Sequence, residues 1–168
     1  VPLAVVAAGA LMLPAPAPAE DPPPFKHGDF MALNSRGKAP NTSSDPMRQV
    51  YEFDLYSLAT GEKIGTAIDD IFCSTTTPPP CQVFDAKTTF KLPDGEFTNH
   101  AQVSVVFDPQ RPGWVMVSSL PSSKGVIAGR GAYAGRTGTV ILTGVNDATS
   151  YPAQLGVDDR WVIEFDPK

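Results

Sequence analysis

Gly129-Arg-Gly-Ala-Tyr-Ala-Gly-Arg-Thr-Gly138 places four glycines around a single tyrosine and runs directly into Thr139-Val-Ile-Leu-Thr143. Glycine inside a strand-rich run marks a turn, a bulge or a close approach of two backbones, the devices that curve a sheet until it closes. Phosphate binding is excluded. Gly129-x-Gly131 lacks the third glycine of a dinucleotide fingerprint, no Walker lysine follows, and no helical period comes next.

Outward from this stretch the chain reads as short strands separated by turn residues. Val50 to Leu58 sets Val50, Glu52, Asp54 and Tyr56 on one face and Tyr51, Phe53 and Leu55 on the other, the period of two that marks a half-buried strand. Further strands are expected over Ile64–Cys73, Gln82–Leu92, Phe97–Phe107, Trp114–Leu120, Val126–Ala128, Thr137–Val145 and Arg160–Asp166, with Thr60-Gly61 and Pro93-Asp-Gly95 as turns. No segment keeps a helical period beyond two turns. Eight strands at this spacing fit a sandwich or a closed barrel. The expectation is an all-β, eight-stranded antiparallel up-and-down barrel over 48–168, because closure removes sheet edges and leaves an interior for packed side chains or one small ligand.

The N-terminal part reads differently. Val1–Leu13 is apolar and uncharged, and Ala15-Pro-Ala-Pro-Ala19 offers a small-x-small cleavage site, so residues 1–19 read as a secretory signal peptide, too short to span a bilayer. Residues 20–47 read as a Pro-rich linker and an irregular lead-in. Export to a secreted or periplasmic location suits Cys73 and Cys81, which flank a stiff Ser-Thr-Thr-Thr-Pro-Pro-Pro loop and are expected to form a disulfide. No metal site is expected, since His27 and His100 are isolated. A net charge of -5 and a pI near 4.9 argue against nucleic acid and anionic membrane surfaces, which are bound through clustered Lys and Arg. The composition leaves assembly into a homo-oligomer open.

Ile127-Ala-Gly-Arg-Gly-Ala-Tyr-Ala-Gly-Arg-Thr-Gly138, taken with Tyr51-Glu-Phe-Asp-Leu-Tyr56 and Ile64-Gly-Thr-Ala-Ile-Asp-Asp70, resembles the allene oxide cyclase barrel superfamily, which includes the dirigent proteins and small bacterial relatives. The resemblance implies a pocket at one barrel mouth for a hydrophobic, unsaturated small molecule, and cyclisation or coupling steered without metal or organic cofactor. The chain departs from the dirigent pattern at two places: Thr137 and Ala132 stand where an arginine and an acid occur in dirigent proteins.

Asp54, Asp69 and Asp70 are the candidate catalytic acids, because a carboxyl in a low-dielectric barrel gains a raised pKa and can donate a proton near neutral pH. Of the adjacent pair only one can point inward. Tyr51, Tyr56, Tyr133 and Trp161 are candidate ligand-binding aromatics, with core packing as their competing role, and Arg136 is a candidate fork for a ligand carboxylate, with an exposed surface position as its alternative. No Gly-x-Ser-x-Gly elbow or partnered histidine supports a hydrolase. Three functions follow: a cofactor-free cyclase or isomerase, a secreted carrier of an apolar ligand, and a filled structural barrel. The first requires polar groups that converge inside the pocket, the second an evenly apolar wall, and the third no cavity.

Overall fold

The computed structural model describes residues 30–45, 47–73 and 81–167, so the signal-peptide reading, the Pro-rich linker and the loop at 74–80 lie outside the described residues. Nine strands follow in order: β1 Phe30–Pro40, β2 Arg48–Ser57, β3 Lys63–Cys73, β4 Val83–Leu92, β5 Gly95–Phe107, β6 Trp114–Ser119, β7 Gly125–Gly131, β8 Gly138–Asp147 and β9 Gln154–Phe165. Each pairs antiparallel with its neighbours, and β9 returns to pair with β1 along the whole of that strand, from Phe30↔Glu164 to Pro40↔Gln154. The result is a closed barrel of eight strand positions, formed by a meander.

Nine strands fill eight positions because β6 and β7 share one. The second half of β5 pairs with β6, its first half pairs with β7, and both short strands also meet β8. Between them the chain makes a short excursion, pinned where Leu120 N donates to Gln102 O at 2.7 Å and Lys124 N donates to His100 O at 3.0 Å. At the same break Ser119 Oγ accepts from Leu142 N at 3.0 Å, replacing a missing ladder bond.

The strand absent from the sequence reading is β1. Phe30–Pro40 falls inside the expected irregular lead-in, so the barrel begins well before residue 48. Its alternation is masked by Asn34-Ser35, a polar pair that is 1% and 0% exposed, and by Gly37, so the period of two carries no apolar signature there. The expected count of eight therefore combined one omission with one strand divided into two.

One end of the barrel is plugged. Phe90 and Phe97 stack at 4.7 Å, Phe90 meets Trp161 edge-on at 5.1 Å, and Tyr133 and Phe165 pack against Phe97 at 5.1 and 5.4 Å. Tyr133 arrives from the turn after β7, and its hydroxyl donates to Asp94 Oδ1 at 3.1 Å in the β4–β5 turn. The glycine-rich stretch thus makes the floor of the barrel. Gly131 holds φ of +65°, and a Cβ there would stand 2.5 Å from Asp94 O, so the turn that inserts Tyr133 needs glycine for both conformation and space.

At the other end, Cys73 and Cys81 form a disulfide that ties the end of β3 to the approach to β4. The loop it closes is short, and the chain-entropy relation gives about 2–3 kcal/mol.

The floor can be tested with two glycines of the same backbone class. Gly135 has φ of +68° with nothing within 4 Å of an added Cβ. Gly135→Ala is expected to cost about 1–2 kcal/mol, the left-handed penalty alone, while Gly131→Ala costs roughly twice that or more, measured by urea unfolding.

Candidate functional site

Side chains that point into the barrel are fixed by strand parity: odd residues on β1, β2, β3, β5 and β9, and even residues on β4 and β8. The aromatic plug uses the inward positions at the floor. Tyr51, Phe53, Leu155 and Val157, with Ala39, form a second apolar cluster on the β1–β2–β9 side. What remains is a cavity of about 770 Å3 beneath the mouth, within the size range of small-molecule sites. Ala86, Val103, Val117 and Leu142 supply its apolar wall, Trp161 lines its inner part, and Met47, Phe107, Tyr151 and the disulfide stand toward the mouth.

Two carboxyls enter this cavity, Asp69 from β3 and Asp159 from β9. Asp69 is 9% exposed and Asp159 is 2% exposed. Burial pushes Asp69 up to about 6, with the Thr88 hydroxyl across on β4 pulling the other way. Burial holds Asp159 well above the usual carboxylate range, and the Asp69 and Asp158 charges push it further up. Opposing this, the Asn146 amide, turned to satisfy its hydrogen bonds, donates to Asp159 Oδ1 at 2.9 Å. Glycine is required opposite Asp159 as well: its partner in the β8–β9 ladder is Gly144, where a Cβ would overlap the Asp159 carboxylate. Two like charges buried beside one chamber do not ionise together readily, so near neutral pH the pair favours one carboxylate and one carboxylic acid.

A polar row runs beside them. Asp69, Thr88 and Asn99 are successive partners across β3, β4 and β5. Asp69 Oδ1 and both side-chain polar atoms of Asn99 are buried with no hydrogen-bond partner among the described residues, and the Thr88 hydroxyl faces Asp69. On the opposite wall Trp161 Nε1 donates to Ser35 Oγ at 3.0 Å, so the indole edge is already satisfied. At the mouth, Tyr151 OH donates to Gln49 Oε1 at 2.8 Å and Tyr51 OH donates to Pro152 O at 2.7 Å, which ties the β8–β9 loop over the β2 side.

Of the acids read from sequence, only Asp69 lies in the cavity. Asp70 points outward, where Arg48 grips it through Nε at 2.7 Å and Nη2 at 2.5 Å. Asp54 points outward to Lys63 Nζ at 2.7 Å. Among the aromatics, Trp161 lines the cavity, Tyr51 packs in the second apolar cluster, Tyr56 lies on the outward face of β2, and Tyr133 belongs to the floor. Arg136 is at the floor too, its guanidinium 5.1 Å from the Phe165 ring centroid and its Nη2 donating to Asp166 O at 3.4 Å, so it cannot reach a ligand in the cavity. Sequence reading missed Asp159, Asn146 and Thr88. Extending the parity of Trp161, Ile163 and Phe165 two residues back identifies Asp159 as inward. The sequence reading began that strand only at Arg160, whereas β9 begins at Gln154.

Among the described residues no group of three or more His, Cys, Asp or Glu is placed to hold a metal ion, and no helix is long and apolar enough to cross a membrane. No protein-family profile and no curated protein matches the chain. Among solved structures, pyocyanin demethylase is similar to it, with a TM-score of 0.45 and 16% identity over 82% of this chain and 99% of that one.

The buried acids have a measurable consequence for the ligand-free protein. Asp69 moves from 3.8 to about 6 on folding, so the folded chain holds this proton more tightly than the unfolded chain. The cost is absent below the unfolded value, grows as pH rises between the two values, and is complete above the folded one. Asp69→Asn is therefore expected to stabilise the protein by about 1–3 kcal/mol near neutral pH, with the gain vanishing near about pH 4, in thermal unfolding scans across that range.

Proposed function

We propose that the protein is a cofactor-independent isomerase or cyclase for a hydrophobic, unsaturated small molecule, a barrel of the allene oxide cyclase and dirigent kind, exported from the cytoplasm. One observation carries this reading: two buried carboxyls with raised pKa values face the same apolar chamber. Such a pair contains both partners of a proton shift. The Asp69 carboxylate takes a proton from a carbon next to an unsaturated group as that C–H bond breaks. The Asp159 carboxyl gives its proton to the far end of the conjugated system, where a new X–H bond forms. The ligand's composition is unchanged, and the proton now on Asp69 returns to Asp159 through exchange with solvent. Exclusion of water by the apolar wall strengthens each charge interaction, and confinement favours one folded shape of the ligand over others.

The second reading is a secreted carrier with no turnover, supported by the apolar character of most of the wall. The two separate experimentally. Nile red should bind wild type saturably at one site, and Val117→Trp, which fills the chamber, should weaken binding at least about tenfold without lowering the melting temperature. In deuterium oxide, a hydrophobic β,γ-unsaturated ketone should gain deuterium in the presence of wild type, and Asp69→Asn should slow this about 100-fold or more. Binding without exchange selects the carrier, and absence of saturable binding contradicts both readings.

A further inference from the structure

The polar groups of the chamber are strongly biased in kind. No Lys, Arg or His occurs among its lining residues, and the arginine that sequence offered as a carboxylate fork, Arg136, sits at the opposite end of the barrel, against Phe165. Its ionisable lining residues are Asp69, Asp159 and Tyr151. Asp69 and Thr88, 9% and 0% exposed, stand opposite each other in the β3–β4 ladder and line the cavity, and Asp69 Oδ1 has no hydrogen-bond partner among the described residues. Among its donors, Tyr151 OH is committed to Gln49 Oε1, the Trp161 indole to Ser35 Oγ, and the Asn146 amide to Asp159 Oδ1 and Val145 O. An anionic ligand would add a second like charge beside the one the acid pair already carries, in a buried site of low dielectric.

We propose that the ligand of this chamber is a lipophilic amine, an apolar body bearing one protonated nitrogen that donates to Asp69 Oδ1 and Thr88 Oγ1, and that carboxylate-bearing lipids are excluded. An ammonium supplies up to three donors and one positive charge, which matches the unpaired acceptors and the single negative charge the acid pair carries near neutral pH. The apolar body takes the wall formed by Ala86, Val103, Val117 and Leu142. This inference rests on the chamber being a ligand site, adds the class of molecule that enters it, and deepens the carrier reading, since a carboxylate paired with an ammonium is not free to take a carbon-bound proton. The Asp69 and Asp158 charges press Asp159 toward its protonated form while the Thr88 hydroxyl favours the Asp69 carboxylate, so Asp69 is the carboxylate that meets the nitrogen.

The test compares phenylbutylamine, phenylbutanol and phenylbutanoate, three probes of one size, by calorimetric titration of the full-length protein near neutral pH, with Nile red as an independent reporter of the chamber. The amine should bind about tenfold or more tighter than the alcohol, and the carboxylate more weakly than either. Asp69→Asn should remove the preference for the amine over the alcohol. A second readout needs no variant. On wild type the preference should fall as pH is lowered through about 6, where Asp69 gains its proton. The charged and titratable groups around it are Asp159, Asp158, Tyr51 and Tyr151; burial raises the tyrosines, and burial with the neighbouring carboxylate charges raises Asp159. An amine that binds no tighter than the alcohol, or a carboxylate that binds as well as the amine, overturns the inference while saturable Nile red binding keeps the chamber. Failure of all four probes to bind overturns both.

Discussion

The ladder between β1 and β9 closes the wall, and everything inside the barrel depends on it. Without Phe30–Pro40 against Gln154–Phe165 the meander would be an open sheet with two free edges, and Asp159, Trp161 and Ser35 would face solvent. Closure fixes the parity of every strand at once, because a one-residue slip in any ladder would turn an entire row of side chains outward. The chamber is in this sense a property of the register. Asp69 and Asp159 face one space because the strands that carry them are locked in place through β1 and β2.

The interior is divided unequally, and the division separates stability from function. At the floor, five aromatic rings from β4, β5, β9 and the turn after β7 interlock at centroid distances between 4.7 and 5.6 Å. Such contacts add to the burial of large apolar surfaces and provide the rigid base of the fold. The chamber wall combines apolar positions such as Ala86, Val103 and Val117 with the polar Asp69, Thr88 and Asp159, and burial disfavours the ionised form of both acids. Burying a carboxyl without a counter-ion is costly, and a fold keeps such a group only where the rest of the structure is stable enough to hold it. The aromatic floor, the closed ladders and the Cys73–Cys81 disulfide supply that stability. Buried acids with raised pKa values in a cavity are a recurrent mark of sites that move protons or hold charged ligands.

Most of the architecture was legible in the sequence because the period of two is strong wherever inward residues are apolar, as in Tyr51, Phe53 and Leu55 or Trp161, Ile163 and Phe165. It failed where inward residues are polar. Ser35 on β1 and Asp159 on β9 break the apolar rhythm, so one strand was missed and another was started late. The same parity rule also held information left unused: Asp54 and Tyr56 share a face opposite Tyr51, so Tyr51 and Asp54 could never have faced one pocket. Asp69 could be narrowed to one of two, since neighbours on a strand point opposite ways, but choosing between them required the partners: Arg48 for Asp70, and the apolar interior for Asp69. The glycine-rich stretch drew attention for the right reason and the wrong place. It bends the chain to make a floor, far from the chamber it was expected to line.

The central claim is that Asp69 and Asp159 act as a coupled pair in one buried chamber, and a carboxyl-carbon NMR titration of protein labelled at its aspartates tests it most directly. The account predicts that the Asp69 resonance inflects near 6 and that Asp159 keeps its proton to higher pH, each inflection shifting when the other acid is replaced by Asn. Inflections for both near about 4, the value of a solvated aspartate, with neither responding to replacement of the other, would contradict it.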